Sequence, residues 1–191
     1  MALKTNVYIS EVTNLTEARY YAGMEVSIIG FNATPNTSTL TTPLQFDAIT
    51  SWISGINTAW QWHLPVSKEL LAVLAECPSN LVELNHIPDL ETIESINTPI
   101  LIRTNSLLEL KKITSDIAPS IQGVIWEGEA IDLPKNLSAP VFLQTSSDLK
   151  TKEFLVTYPN AGIALRGIPE LRPGWNDFDQ LAELLESLET E

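Results

Sequence analysis

The feature that most constrains this chain is an alternation repeated along its length. Short runs rich in Val, Ile, Leu and Trp are separated by longer stretches of helical period. Short apolar runs with buried faces read as strands, and strands that alternate with helices imply parallel β/α units. Eight strand candidates can be counted, at residues 5–12, 26–32, 59–64, 81–86, 99–104, 122–127, 140–145 and 161–166. Helix candidates lie at 15–23, 43–56, 67–77, 89–96, 107–117, 148–157 and 177–188, several opened by capping or first-turn residues such as Thr13-Asn14, Pro43 and Asn176-Asp177. Open doubly wound sheets commonly have five or six strands, so eight predict a closed α/β architecture, a (β/α)8 TIM barrel. One unit is short. Residues 128–139 (GEAIDLPKNLSA) contain the breakers Pro134 and Asn136, and the helix after strand six is expected to be shortened or missing. The whole span 1–191 reads as one domain.

Charge narrows the function classes. The 24 acidic against 11 basic side chains give a formal net charge of −13, and residues 20–67 contain no Lys or Arg. Nucleic acid is therefore excluded as an expected partner, since a polyanion would be repelled. The first residues (MALKTNV) carry no signal-like apolar run and no segment is long enough to span a bilayer, so no membrane partner is expected and the localisation is read as cytoplasmic. The lone Cys77 fits a reducing compartment. No Cys/His set has metal spacing, and neither a metal nor a cofactor is expected.

Function in a barrel belongs at the C-terminal ends of the strands. The residues there are Ser10, Glu11, Asn32, Ala33, His63, Asn85, His86, Arg103, Glu127, Gln144, Thr145, Arg166 and Gly167. Taken singly, each reads as a solvated or structurally hydrogen-bonded strand end sooner than as a functional group, and His63 and His86 are read that way. Any small-molecule ligand is expected at this mouth.

Two stretches carry a resemblance. Val7-Tyr8-Ile9-Ser10-Glu11-Val12-Thr13 runs without a gap into Asn14-Leu15-Thr16-Glu17-Ala18, then reaches Ser27-Ile28-Ile29-Gly30-Phe31 and Pro35. Near the other end stands Pro169-Glu170-Leu171-Arg172-Pro173-Gly174-Trp175-Asn176-Asp177. These resemble the V-K-I-C-G-I-T, N-L-E-D-A and G-A-D-A-L-G-F segments and the V-E-x-x-P-G-x-K-D segment of the phosphoribosylanthranilate isomerase family, a barrel enzyme of tryptophan biosynthesis. Residues 47–160 match that family only in their alternation.

The resemblance implies an Amadori rearrangement, with a first-strand Cys as base and an Asp ending strand six as acid. Here the Cys position is Ser10, whose unassisted hydroxyl is a very poor proton acceptor. Glu11 is expected to point to the other side of the strand. Glu127 occupies the acid position and is the surviving catalytic candidate, longer by one methylene; its plain reading is a solvated carboxylate. The family's S-P-R becomes Thr37-Ser38-Thr39, so Thr39 replaces the substrate Arg. The phosphate-holding glycines after strand seven become Thr145-Ser146, and residues 129–161 contain no glycine. Arg166 and Gly167 are a candidate replacement anion contact, and Arg103 is the other mouth cation. Asn85 stands where the family's fourth strand places His, with His86 displaced to the other face. Trp60 and Trp62 share a face, either packing strand to helix or narrowing the pocket.

The implied protein is an isomerase-like barrel that has lost most of its chemistry and acts as a binding or interaction module. The alternatives are a working isomerase with a rebuilt site around Glu127, or an enzyme on another, unphosphorylated substrate.

Overall fold

A computed structural model describes residues 3–113, 118–129, 133, 139–146, 148–168 and 177–189. Eight parallel strands close in sequence order: β1 Val7–Ser10, β2 Ile28–Asn32, β3 Asn57–Trp62, β4 Leu81–Leu84, β5 Ile100–Thr104, β6 Ile121–Trp126, β7 Val141–Gln144 and β8 Gly162–Arg166. The ring is completed where β1 pairs with β8, Tyr8 opposite Ala164 and Ser10 opposite Arg166. The expected (β/α)8 barrel is the observed fold. Helices α1 Leu15–Gly23, α2 Pro43–Thr50, α3 Lys68–Glu76 and α4 Leu90–Ile96 follow the first four strands, and α5 Leu107–Leu110, α6 Asp148–Thr157 and α7 Asp179–Ser187 complete the set. Among the described residues no helix lies between β6 and β7, as the breakers in that segment require.

Local chemistry sets the helix starts. Asn14 accepts a hydrogen bond from the Glu17 amide at 2.9 Å, Asp89 accepts from Thr92 at 2.8 Å, and Thr42 with Gln45 forms a reciprocal capping box. Helix α2 stops at Thr50, six residues short of the sequence expectation. Its last carbonyls are taken by the Ser51 hydroxyl on Ala48 and by the amides of Ser51, Trp52 and Ile53 on Asp47, Ile49 and Thr50, and Gly55 (φ +78°) then turns the chain into β3. Helix α5 is also shorter than expected: Lys112 and Ile113 make tight i→i−3 bonds to Glu109 and Leu110. Residues 114–117 and the family-like segment 169–176 lie outside the described residues.

Alternation along the strands divides the core in two. The larger cluster packs outward strand faces against the helices, and it takes both Trp60 and Trp62. Trp60 stacks on Phe46 of α2 with centroids 4.3 Å apart and donates to the Cys77 carbonyl at 2.8 Å. Neither tryptophan narrows the barrel pocket, and an enzyme built on an aromatic mouth loses its support. The smaller cluster is the barrel interior and takes one residue from each strand: Tyr8, Ile28, Ala59, Leu81, Leu101, Ile125, Phe142 and Ala164. A step of two residues toward the strand C-termini keeps the same face. That step gives the next interior layer as Ser10, Gly30, Gln61, Glu83, Arg103, Glu127, Gln144 and Arg166, polar at every position except the glycine.

Candidate functional site at the barrel mouth

A carboxylate occupies the centre of this polar layer. Glu83 is fully buried and accepts from Arg103 through both oxygens, Nε to Oε1 at 2.6 Å and Nη2 to Oε2 at 3.2 Å. Gln61 Nε2 donates to Oε2 at 3.1 Å, the Tyr8 hydroxyl donates to the same oxygen, and His63 Nε2 lies 2.9 Å from Oε1. Burial pushes the Glu83 carboxyl up, but the Arg103 guanidinium and the donors on His63 and Arg103 outweigh it and hold the group well below the usual carboxylate range. Burial also pushes the Tyr8 phenol up, and the adjacent Glu83 charge adds to the shift, so Tyr8 stays a donor. Gly30 makes the packing possible: a Cβ there would collide with the Tyr8 hydroxyl and come within 3.1 Å of Gln61 Cδ.

Above this cluster opens a cavity of about 330 Å³ lined by Glu11, His63, Asn85, Arg103, Thr104, Asn105, Glu127 and Arg166. Of the residues singled out from sequence, Asn85, Arg103, Glu127 and Arg166 therefore meet here. Arg103 is not a free cation, because its Nη1 also donates to Glu127 Oε1 at 3.0 Å and Gln144 Oε1 at 2.8 Å. Arg166 is exposed at the rim, its Nε 4.0 Å from Glu11 Oε1. The expectation for Glu11 is corrected. Its backbone is left-handed (φ 59°), which ends β1 and turns the carboxylate into the mouth while its amide donates to Gln61 Oε1 at 2.7 Å. Asn85 donates to the His63 carbonyl at 3.0 Å, and His86 Nδ1 lies 3.0 Å from Asn85 Oδ1, outside the cavity lining.

Ser10 is only 1% exposed and donates its hydroxyl to the Leu165 carbonyl at 3.0 Å. No carboxylate or imidazole receives that proton. Thr39 stands in the β2–α2 loop, where its hydroxyl accepts from Asn32 Nδ2 at 2.9 Å. Thr145 and Ser146 do not line the mouth cavity itself but a groove of about 430 Å³ beside it, which shares Arg166 with the mouth and continues along Ile168 and the α7 residues Leu181 and Leu184. The Gly167 amide donates to the Ser10 carbonyl at 2.7 Å, and a Cβ at Gly167 would come within 3.0 Å of Ser10 O and Glu17 Oε1. Gly167 thus serves the close approach of β8 to β1 and α1.

Sequence reasoning missed three members of the site. Glu83, Gln61 and Tyr8 were not singled out, and His63 was read as a strand end; the signal was present in Glu83, a charge in mid-strand between apolar neighbours, which demands buried partners. With Nε2 bonded to Glu83, a neutral His63 ring keeps a lone pair on Nδ1, so the mouth holds an imidazole oriented by a buried carboxylate.

No family model and no curated protein sequence matches the chain. Solved structures do. Phosphoribosylanthranilate isomerase from Thermus thermophilus is 16% identical with a TM-score of 0.73, over 96% of this chain and 98% of that one. The Thermotoga maritima isomerase is 13% identical with a TM-score of 0.73, over the same shares of the two chains. The Pyrococcus furiosus isomerase is 12% identical with a TM-score of 0.74, again over 96% and 98%. The likeness in fold covers nearly the whole chain, whose fold is that of the phosphoribosylanthranilate isomerase barrel.

Proposed function

We propose that this chain is a phosphoribosylanthranilate isomerase-like barrel whose Amadori chemistry is lost or strongly impaired, and that it serves as a binding or interaction module. One observation carries this reading: the residue at the base position, Ser10, is buried and spends its proton on a backbone carbonyl. The anion grip is weakened in parallel. Arg103 is held by Glu83, Glu127 and Gln144, the substrate-Arg position is Thr39, and Thr145 and Ser146 stand where the family has phosphate glycines. Glu11 and Glu127 bring two carboxylates to a mouth whose more accessible cation is Arg166, a poor host for a substrate bearing a phosphate and a carboxylate. The test is turnover of phosphoribosylanthranilate. The expected rate is the uncatalysed one; a rate far above it, abolished by Ser10→Ala or Glu127→Gln, overturns the reading.

A second reading has one observation in its favour. A working isomerase with a rebuilt site would use Glu127 as acid and the Glu83-oriented His63 as base, since both line one cavity. It predicts thermal protection by phosphate-bearing ligands and loss of turnover in His63→Ala; no shift at millimolar ligand removes it.

A further inference from the structure

The mouth cavity has a charge of its own. Below it Glu83 takes Nε and Nη2 of Arg103, and Nη1 goes to Glu127 and Gln144, so this guanidinium has little left to offer a ligand. With Glu83 included, three carboxylates, Glu11, Glu83 and Glu127, face the two guanidinium groups of Arg103 and Arg166. A neutral His63 leaves one negative charge in excess, and it sits on the open side: the Glu11 and Glu127 side chains are 28% and 33% exposed, whereas Glu83 is buried. Arg166, 64% exposed, reaches Glu11 only through Nε at 4.0 Å, a contact too long and too wet to neutralise it.

The groups left open are acceptors. Glu127 gives Oε1 to Arg103, and among the described residues its Oε2 and the Glu11 carboxylate accept no hydrogen bond. A neutral His63, bonded to Glu83 through Nε2, keeps the Nδ1 lone pair, and the Asn105 side chain makes no hydrogen bond among the described residues. Arg166 is the donor on the rim. Among the described residues no three His, Cys, Asp or Glu side chains come together as metal ligands, which favours an organic cation.

Glu11 is also held in place against its own preference. Its φ of 59° lies in the left-handed region that glycine adopts freely, and Gln61 Oε1 pins its amide there at 2.7 Å. Glycine would make the same turn; what glutamate adds is a carboxylate in the cavity.

Building on the reading of this barrel as a binding module, we propose that the mouth binds a small polyhydroxylated amine. Its ammonium would meet the excess charge of Glu11 and Glu127, and its hydroxyls would donate to His63 Nδ1 and Asn105 and accept from Arg166. The cavity of about 330 Å³ has room for about eleven water-sized groups, which suits a six-carbon chain.

Three ligands with the same carbon skeleton and different charge test this: glucamine, sorbitol and gluconate, titrated calorimetrically into the full chain at low salt and about pH 8, where imidazole is neutral and an alkylamine protonated. Glucamine is expected to bind in the millimolar range or tighter, about tenfold or more tighter than gluconate, with sorbitol between. Glu11→Gly and Glu127→Gln should each weaken glucamine by about tenfold, while Glu91→Gln, which removes an exposed charge from α4, should change nothing. Melting curves check that the variants fold, and Glu11→Gln repeats the test without altering backbone freedom. Gluconate or butylamine binding as tightly as glucamine, an equal loss in Glu91→Gln, unchanged binding in both Glu11 variants, or no binding would each overturn the proposal. Turnover of phosphoribosylanthranilate, assayed separately, would refute the loss of chemistry and leave the charge order of the three ligands standing; loss of that order without turnover would do the reverse.

Discussion

Replacing Arg103 by Met leaves Glu83 as a fully buried carboxylate without its main counter-charge. Two unit charges about 4 Å apart at an effective dielectric near 20 attract by about 4 kcal/mol. Breaking one side of a buried pair costs about 3–5 kcal/mol in general, and the two figures agree. For a chain of this size that is a fall in melting temperature of about 6–20 °C. The pH dependence identifies the cause. In the wild type the Glu83 carboxyl is held below its unfolded value, so its contribution is fully present above about pH 4.3 and is lost as pH falls through the folded value. In Arg103→Met burial is no longer outweighed and pushes the carboxyl up. That variant should then gain stability as pH falls from 7 toward 5, and its deficit against wild type should shrink across that window. Urea unfolding at pH 5, 6 and 7 measures both quantities. Adding Glu83→Leu should return only part of the loss, because an apolar pair replaces the ion pair at little net cost while the buried Tyr8 hydroxyl and Gln61 amide lose their acceptor. A deficit under about 1 kcal/mol, or one that does not change with pH, refutes the claim that Glu83 is ionised and held by Arg103.

Three further outcomes follow from neighbouring geometry. Gly30→Ala should destabilise by about 1–3 kcal/mol by driving the Tyr8 hydroxyl off Glu83, and Tyr8→Phe in the same background should recover part of it, as read by urea unfolding. Glu17 is buried in α1 and accepts from the Thr13 and Ile168 amides at 2.9 and 2.8 Å; burial pushes its carboxyl up. Its contribution is therefore full at low pH and declines as pH rises through the folded value, so the cost of Glu17→Gln, about 1–3 kcal/mol, should be largest near pH 4 and shrink toward pH 7, opposite in trend to Arg103→Met. Cys77 is buried and burial pushes its thiol up to about 11, so native-state alkylation at pH 8 should be at least about two orders of magnitude slower than in urea.

What the sequence made legible follows from what each signal depends on. The eight strands were countable because parallel strands buried on both faces must be apolar, and runs such as Ile100-Leu101-Ile102 have no other use. The end of α2 is not legible because Trp52, Ile53 and Ile56 prolong an apolar pattern past the tight turn in which the Ser51 hydroxyl and the Trp52 and Ile53 amides close the helix. Ser10, Glu127 and Arg103 were found because they end strands. Glu83 was not, since which face of β4 looks inward is decided only when the barrel closes and Leu81 joins the interior ring. Arg103 looked like a free anion contact for the same reason: its partner lies 20 residues away, and only the register of β4 against β5 brings Glu83 beside it.

That register also separates two departures from the resembled family's site that sequence alone runs together. A thiol at position 10 could restore a base, and Ser10→Cys is the natural rescue experiment. The substrate's anionic groups would still meet a mouth whose better-placed cation has both its Nε and Nη2 on Glu83 and its Nη1 on Glu127 and Gln144. Freeing Arg103 is not an available remedy, since the same contacts hold Glu83 ionised in the barrel interior. On the proposed reading a stronger anion grip would need a further cation, and Thr39, half-buried in the β2–α2 loop, is the position where the resembled family carries one. Ser10→Cys alone should therefore leave phosphoribosylanthranilate turnover at the uncatalysed rate, while Thr39→Arg alone should gain thermal protection by phosphate-bearing ligands without turnover. Turnover in the single Cys variant would show that the anion grip survives in some other form, and the reading of the mouth as closed to that substrate would fall with it.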